Sequence, residues 1–402
     1  MLILHNAAVY PVAQPPINPG AVAIEDGRIV AVGPTAEGFA ALGPQVVAAV
    51  RAGRATLVDV AGGVLTPGLI DAHTHVGIGE EAVGWEGSDY NERTNPVTPD
   101  LRAIDGINPD DTAIPRALKG GVTAVCVVPG SANVIGGTGV VIRTYGRVVD
   151  EMVVCENAGM KAALGENPKN VYRSQNKSPV TRMAVAALFR EWFTKARDYA
   201  AKKAKAAEKG EPCETDLRLE ALLPVVRGEI PLRAHAHRAD DIATILRIAR
   251  EFNLRLVLEH CTEGHKLADL LAQQGVPAIV GPTMGGRGKV ELKEKQFETA
   301  GVLAAAGVLV ALTTDHSVTH IEHLPVAAAL VMKAGMPADQ VLAAITLNPA
   351  KILGIDHRLG SIEPGKDADL VLWSGHPLDV QSRALKVWLM GELVHDAGAT
   401  SG

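Results

Sequence analysis

Apolar runs at the two ends of the chain are short and bounded by Gly, Pro and Asp, whereas the middle alternates strand-like runs with helix-like ones. Leu2 to Val9, Ala21 to Val32 with Asp26-Gly27 as a turn, and Thr56 to Val60 therefore predict β-strands. Toward the other end, Gly360 to Trp373 reads as a turn-rich entry into a strand, and Leu385 to Val394 as a strand pair broken at Gly391. Neither end is large enough to bury a core alone. Residues 1–62 and 358–402 are therefore expected to pair into one small β-sandwich domain built from both termini.

Residues 63–357 carry the alternating pattern, which predicts parallel βα units. Candidate strands are Gly63 to His75, Val122 to Val128, Val140 to Thr144, Met160 to Glu166, Leu232 to His237, Leu254 to His260, Val276 to Thr283 and Val308 to Asp315. Eight is the number that a closed (β/α)8 barrel needs, and such a barrel takes about 250 residues. One stretch interrupts the alternation, from Ser178 to about residue 211. Ser178-Pro179 is a plausible N-cap and first helical position, and the run through Phe189 and Phe193 to the Lys202-Lys203-Ala204-Lys205 segment predicts a long inserted helix with a solvated basic end.

Composition narrows the function classes. The formal net charge is -6, so no global basic field recruits nucleic acid or anionic lipid. The four cysteines, Cys126, Cys155, Cys213 and Cys261, form no CxxC pair, which argues against a disulfide scaffold and a zinc ribbon and for free thiols in a reducing compartment. The first residues lack a basic region followed by a long apolar core, and no uncharged run is long enough to span a bilayer. A cytoplasmic protein is expected, with no nucleic-acid or membrane partner, assembling as a homo-oligomer, with a symmetric dimer as the default.

The chemistry sits where the predicted strands end. In Asp71-Ala72-His73-Thr74-His75 the strand period of two turns both imidazoles to one side, a pair suited to a borderline divalent metal such as zinc. Barrel active sites lie at the C-terminal ends of the strands. The fifth strand closes with His235-Ala236-His237, the sixth with Glu259-His260 and the eighth with Thr314-Asp315-His316. One buried histidine is usually a packed core residue, but imidazoles and a carboxylate at four strand ends aimed at one mouth are hard to explain as packing. Together they supply ligands for one or two divalent ions.

With these residues in place the chain resembles the amidohydrolase superfamily over nearly its whole length, through Gly68 to His75, His235, His260, Asp315 and the Gly360 to Val371 stretch. It looks most like the imidazolonepropionase-related branch. The resemblance implies a metal-dependent hydrolase on a distorted (β/α)8 TIM barrel with an accessory β-sandwich. It implies one ion on His73 and His75, a second on His235 and His260, and Asp315 against both metal and nucleophilic water. Two-metal members usually bridge their ions with a carbamylated lysine on the fourth strand. Here Lys161 falls near the start of that strand and Glu166 at its C-terminal end, so Glu166 is expected as the ligand, with Lys161 as the alternative and a mononuclear site as a third outcome.

A bound ion lowers the pKa of its water and polarises a scissile carbonyl, and Asp315 is placed to take the water proton and return it to the leaving nitrogen. Zinc is the expected metal, with manganese or iron as alternatives. His237, on the same side of its strand as His235, is expected to act on the developing oxyanion, or else as a further ligand. Arg287 and Lys289 in Gly285-Gly286-Arg287-Gly288-Lys289 would suit a substrate carboxylate, Gly137 in Gly136-Gly137-Thr138-Gly139 would offer a backbone N–H, and Tyr172 lies in reach. The expected activity is hydrolysis of a C–N amide or cyclic amide bond in a small molecule or dipeptide. The rivals are a deaminase of a cyclic amidine or aminated heterocycle, and a silent scaffold barrel, against which the intact ligand set speaks.

Overall fold

The structure, a computed structural model, describes residues 1–398. The two ends of the chain do pair. Arg28–Pro34, Ile17–Glu25, Leu2–Val9, Val64–Pro67, Leu370–Trp373, Ala384–Leu389 and Glu392–Asp396 follow one another across a single eight-stranded sheet, with Thr56–Asp59 paired to Leu2–Val9. Residues 399–402 of the expected composite domain lie outside the described part. Alternation along each strand serves both faces of this sheet. Leu4, Val22, Leu65, Leu370 and Trp388 pack on one side, while Ile3, Ala21 and Ala23 meet Leu42 and Val46 of the segment ending in helix Pro44–Arg51 on the other.

The run Gly63 to His75 is not one strand but two. Val64–Pro67 runs antiparallel to Leu370–Trp373 in the terminal sheet, and Leu69–Thr74 runs parallel to Val122–Val127 in another. The change of sheet occurs at Gly68, where a Cβ would stand 1.9 Å from Thr123 Oγ1. Only a residue without a side chain permits that approach.

A second correction concerns the expected parallel strand at Val140 to Thr144. Val140–Arg143 runs antiparallel to Val122–Val127, and Ile135–Thr138 runs antiparallel to Met160–Ala163. The segment between Val127 and Val140 holds the strand Ile135–Thr138 instead of a helix, so there is no βα crossover by which the chain could return as a parallel neighbour. From there Met160–Ala163, Leu232–Ala236, Leu256–His260, Ala278–Val280 and Val310–Leu312 are parallel in sequence order. The segment just past Val310–Leu312 is hydrogen-bonded to the Leu69–Thr74 strand and the residue after it. Thr314 N–H donates to Asp71 Oδ2 at 2.9 Å, and His75 N–H to His316 O at 2.9 Å.

The inserted helix is present as Arg182–Lys209. Its N-cap is Thr181, whose Oγ1 accepts from Ala184 N–H at 3.1 Å, rather than Ser178. Phe189, Phe193 and Ala196 are buried and Phe193 meets Phe252, whereas Lys202 and Lys205 are exposed, as expected of a solvated basic end. Arg143, buried, donates to Asp369 at 2.8 Å and Asp367 at 2.6 Å and so ties the inner strands to the terminal sheet. All four cysteines are free. Among the described residues no helix is long and apolar enough to cross a membrane.

Candidate metal centre

The inner strands are shorter than their apolar runs suggest, so the chemical groups stand on the turns just past them. His73 is in Leu69–Thr74 and His75 follows it; His235 is in Leu232–Ala236 and His237 follows; His260 ends Leu256–His260; Asp315 lies beyond Val310–Leu312. His260 and Asp315 have positive φ, 68° and 50°, a conformation that side-chain-bearing residues rarely adopt and that tends to mark functional turns.

Four of these five imidazoles hold Nδ1 in a hydrogen bond to an oxygen. His75 Nδ1 lies 2.8 Å from Val128 O, His260 Nδ1 2.7 Å from Gly281 O, His235 Nδ1 2.9 Å from Ser131 Oγ and His237 Nδ1 2.7 Å from Thr262 Oγ1. For His75 and His260 the partner is a carbonyl, so the ring proton sits on Nδ1 and Nε2 keeps a free lone pair. Nε2 of His235 and of His260 is buried without any hydrogen-bond partner. Burial, ahead of any charge, lowers the pKa of His235, His237 and His260 well below 6.5, which keeps them in the neutral form that binds metal.

His73 and His75 turn Nε2 toward the same oxygen, Asp315 Oδ1, at 3.3 and 3.4 Å. Burial works against a proton on His73, but Glu259 and Asp315 together outweigh it and raise its pKa. Burial works in the same way against ionised Asp315, and its contacts with His73 and His75 hold its pKa well below the usual carboxylate value. The donor set therefore fits a divalent cation: imidazoles converge on the carboxylate of Asp315, two of them, His235 and His260, with unpartnered Nε2 atoms and His260 with its tautomer fixed by a carbonyl.

Beneath this layer Glu259 is fully buried. It meets His73 Nδ1 at 2.9 Å, accepts from Lys161 Nζ at 2.7 Å, and accepts from Arg233 Nε at 2.9 Å. Burial alone would raise the Glu259 pKa, yet the surrounding positive groups drive it well below the carboxylate value.

The fourth-strand expectation needs correcting. Lys161, not Glu166, reaches the centre, with Nζ 3.5 Å from His73 Nε2. The strand spans only Met160–Ala163, so Lys161 lies nearer its upper end than a longer strand would allow, and its four-carbon stem covers the remaining distance. Glu166 opens the helix Glu166–Ser174 and instead accepts from Glu291 N–H at 2.9 Å, while Glu166 N–H donates to Glu291 Oε2 at 2.9 Å. That contact needs Gly165, where a Cβ would lie 2.5 Å from Glu291 Oε2.

A cavity of about 390 Å³ opens above the centre, lined by His75, His235, His237, Asp315, Lys289 and Asn167 among others. Of the residues expected to touch substrate, only Lys289 is on its wall. Arg287 is exposed and donates to Lys295 O at 2.8 Å, Tyr172 is buried with its hydroxyl on Asn133 Oδ1 at 2.5 Å, and Gly137 is packed under Leu101 O. The groups that sequence reasoning missed at the wall include Tyr90, Asn91, Arg93 and Lys295, which come from irregular segments with no periodicity to place them. Tyr90 stacks on His75 with ring centres 5.0 Å apart.

Glu81, His316 and His320 form another compact group of potential donors. It does not suit a metal: Ile321 N–H donates to His316 Nδ1 at 3.2 Å, which leaves the ring proton on Nε2, and the guanidinium of Arg116 is already paired with Glu81.

The amidohydrolase family model matches residues 64–394, and a bacterial imidazolonepropionase-like composite-domain model matches residues 20–37. A solved amidohydrolase from Thermotoga maritima is 46% identical, with a TM-score of 0.93 over 98% of this chain and 100% of that one. The amidohydrolase tasK of Hapsidospora irregularis is 31% identical over 85% of this chain, which spans only 37% of that longer protein. An imidazolonepropionase from Methylobacterium nodulans is 26% identical over 96% of this chain and 95% of its own length.

Two outcomes are expected from this geometry. Glu259→Gln removes the counter-charge of two buried cations and is expected to cost about 3–5 kcal/mol in chemical denaturation; a loss under about 1 kcal/mol would contradict the role assigned to Glu259. In chelator-treated protein, His235, His237 and His260 refuse protons that the unfolded chain accepts below the ordinary value of 6.5, so their contribution is intact above that pH and lost as pH falls through it. His73, with a raised pKa, acts in the opposite sense, and three groups outweigh one. The denaturation midpoint of the metal-free protein is therefore expected to fall from about pH 7 to about pH 5, and a flat profile would be inconsistent with neutral buried imidazoles.

Proposed function

The chain belongs to the amidohydrolase family, in its imidazolonepropionase-related branch, and from that premise we propose that it hydrolyses an amide or cyclic amide C–N bond of a small molecule or dipeptide. Membership by itself supports a hydrolase of carbon–nitrogen bonds that uses a divalent metal. The finer reading assigns a distorted (β/α)8 barrel to the inner strands and a β-sandwich to the paired termini. Zinc suits the imidazole-rich donor set best. The observation that carries the reading is the convergence of His73, His75 and Asp315 within 3.4 Å contacts beside unpartnered Nε2 atoms of His235 and His260.

His73, His75, His235, His260 and Asp315 would hold the metal, with Lys161 rather than Glu166 as the fourth-strand group facing it. A divalent ion there supplies Lewis-acid polarisation of the scissile carbonyl and a water of lowered pKa. Asp315, kept ionised by His73 and His75, takes the proton of the attacking water at its carboxylate and returns it to the leaving nitrogen. His237 lines the cavity, where it serves either as a contact for the carbonyl oxygen as it gains charge or as a further ligand. Lys289, on the wall and 43% exposed at its side chain, offers a cation to a substrate carboxylate. We further infer a cytoplasmic homo-oligomer acting on a small-molecule amide, without nucleic-acid or membrane partners.

Asp315→Asn is expected to keep most of the bound metal and lose turnover by about a thousandfold or more, read in a panel of N-acyl amino acids, dipeptides, cyclic amides and amidines. Retained turnover would remove Asp315 as the proton carrier. In the same panel, release of ammonia without amide cleavage would replace the amidase reading with a deaminase.

A further inference from the structure

Glu291 belongs to no regular strand and sits in a single turn, Val290–Leu292, that follows the glycine-rich loop, yet its side chain is 1% exposed. One carboxylate oxygen is accounted for, since Oε2 accepts from Glu166 N–H. The other, Oε1, is buried and has no hydrogen-bond partner. It faces two nitrogens equally, His235 Nε2 and His237 Nε2, each at 3.7 Å. Lys289 Nζ is 4.0 Å away, beyond hydrogen-bond distance, on a side chain that is 43% exposed and donates to Asn167 Oδ1 at 2.7 Å.

A buried carboxylate oxygen with nothing to accept is costly unless a cation meets it. His235, His237 and His260 lie with their donor atoms mutually within 4.8 Å, and Glu291 closes the remaining side. A tetrahedral zinc with bonds near 2.0–2.1 Å places its ligand atoms roughly 3.3–3.4 Å apart, and the 3.7 Å contacts of Glu291 Oε1 lie within a few tenths of an ångström of that spacing.

We propose that Glu291 Oε1 is a metal donor, completing with Nε2 of His235, His237 and His260 a cation site on the far side of the centre from His73, His75 and Asp315. The assignment rests on the metal-centre reading above and extends it to a ligand outside the strand ends. It also gives Glu166 a task. The reciprocal backbone contacts of Glu166 and Glu291 fasten the two loops together, and so fix the carboxylate at its place without Glu166 touching the ion.

The test is cobalt(II) and zinc binding to the chelator-stripped full chain, followed by calorimetry and by the visible absorption of cobalt. Wild type is expected to take up about two equivalents, and Glu291→Gln to bind one of them at least about 100-fold more weakly, more than the loss that outer contacts to a ligand usually cause. Glu166→Gln keeps an acceptor for Glu291 N–H and leaves the donor untouched, so both equivalents should remain. Thermal unfolding supplies a readout free of folding artefacts. Without metal, Glu291→Gln should melt at or above wild type, having lost an unpaired buried charge, and with metal it should melt below. Unchanged cobalt affinity and spectrum in Glu291→Gln would overturn the assignment, as would an equal loss in Glu166→Gln. Absence of metal binding by wild type would instead remove the metal-centre reading itself.

Discussion

Glu259 occupies the point where Lys161, Arg233 and His73 would otherwise face one another in a space closed to water. Two buried cations without that carboxylate would be untenable, and the carboxylate without them equally so. The ion cluster is therefore both structural and functional. It joins three strands through Met160–Ala163, Leu232–Ala236 and Leu256–His260, and it fixes the His73 ring from below so that Nε2 meets Asp315 from above. A carboxylate on the far nitrogen of a ligating imidazole also raises its basicity, which strengthens its bond to a metal.

Above that layer the architecture trades regularity for placement. The strands stop early, and the turns beyond them hold His260 and Asp315 at positive φ. Such conformations persist only where surrounding contacts impose them. Those contacts are visible: His260 Nδ1 on Gly281 O, and Asp315 N–H on Thr313 Oγ1. The result is a rigid ring of donors below a cavity whose outer wall is made of less regular segments carrying Tyr90, Asn91 and Lys289. A family that varies those segments can change substrate while leaving the metal chemistry alone.

Much of the centre was legible because period-two alternation puts His73 with His75 and His235 with His237 regardless of strand length. The pairing of the two termini was legible because neither end could bury its own apolar face. What could not be read was distance along a strand. Lys161 and Glu166 were ordered by an assumed strand extending to residue 166, and a strand ending at Ala163 reverses their proximity to the mouth. Strand direction at residues 140–143 is set by what precedes it, a further strand at Ile135–Thr138 in place of the helix that a parallel return needs, and the apolar run alone does not tell the two apart. Arg287, Tyr172 and Gly137 were assigned to substrate by nearness in sequence, which does not survive the folding of irregular segments. Glu291 carries no local signal, because its placement depends on a contact with Glu166, 125 residues away at the start of a helix.

The proposed hydrolysis requires a divalent cation held by this ring of imidazoles and carboxylate. Elemental analysis of protein purified without added metal, before and after dialysis against a strong chelator, tests it most directly. At least about one tightly held divalent ion per chain is expected, with activity lost on its removal and restored by zinc, manganese or iron. A protein that carries no such ion and hydrolyses its substrate equally well in chelator would contradict the account.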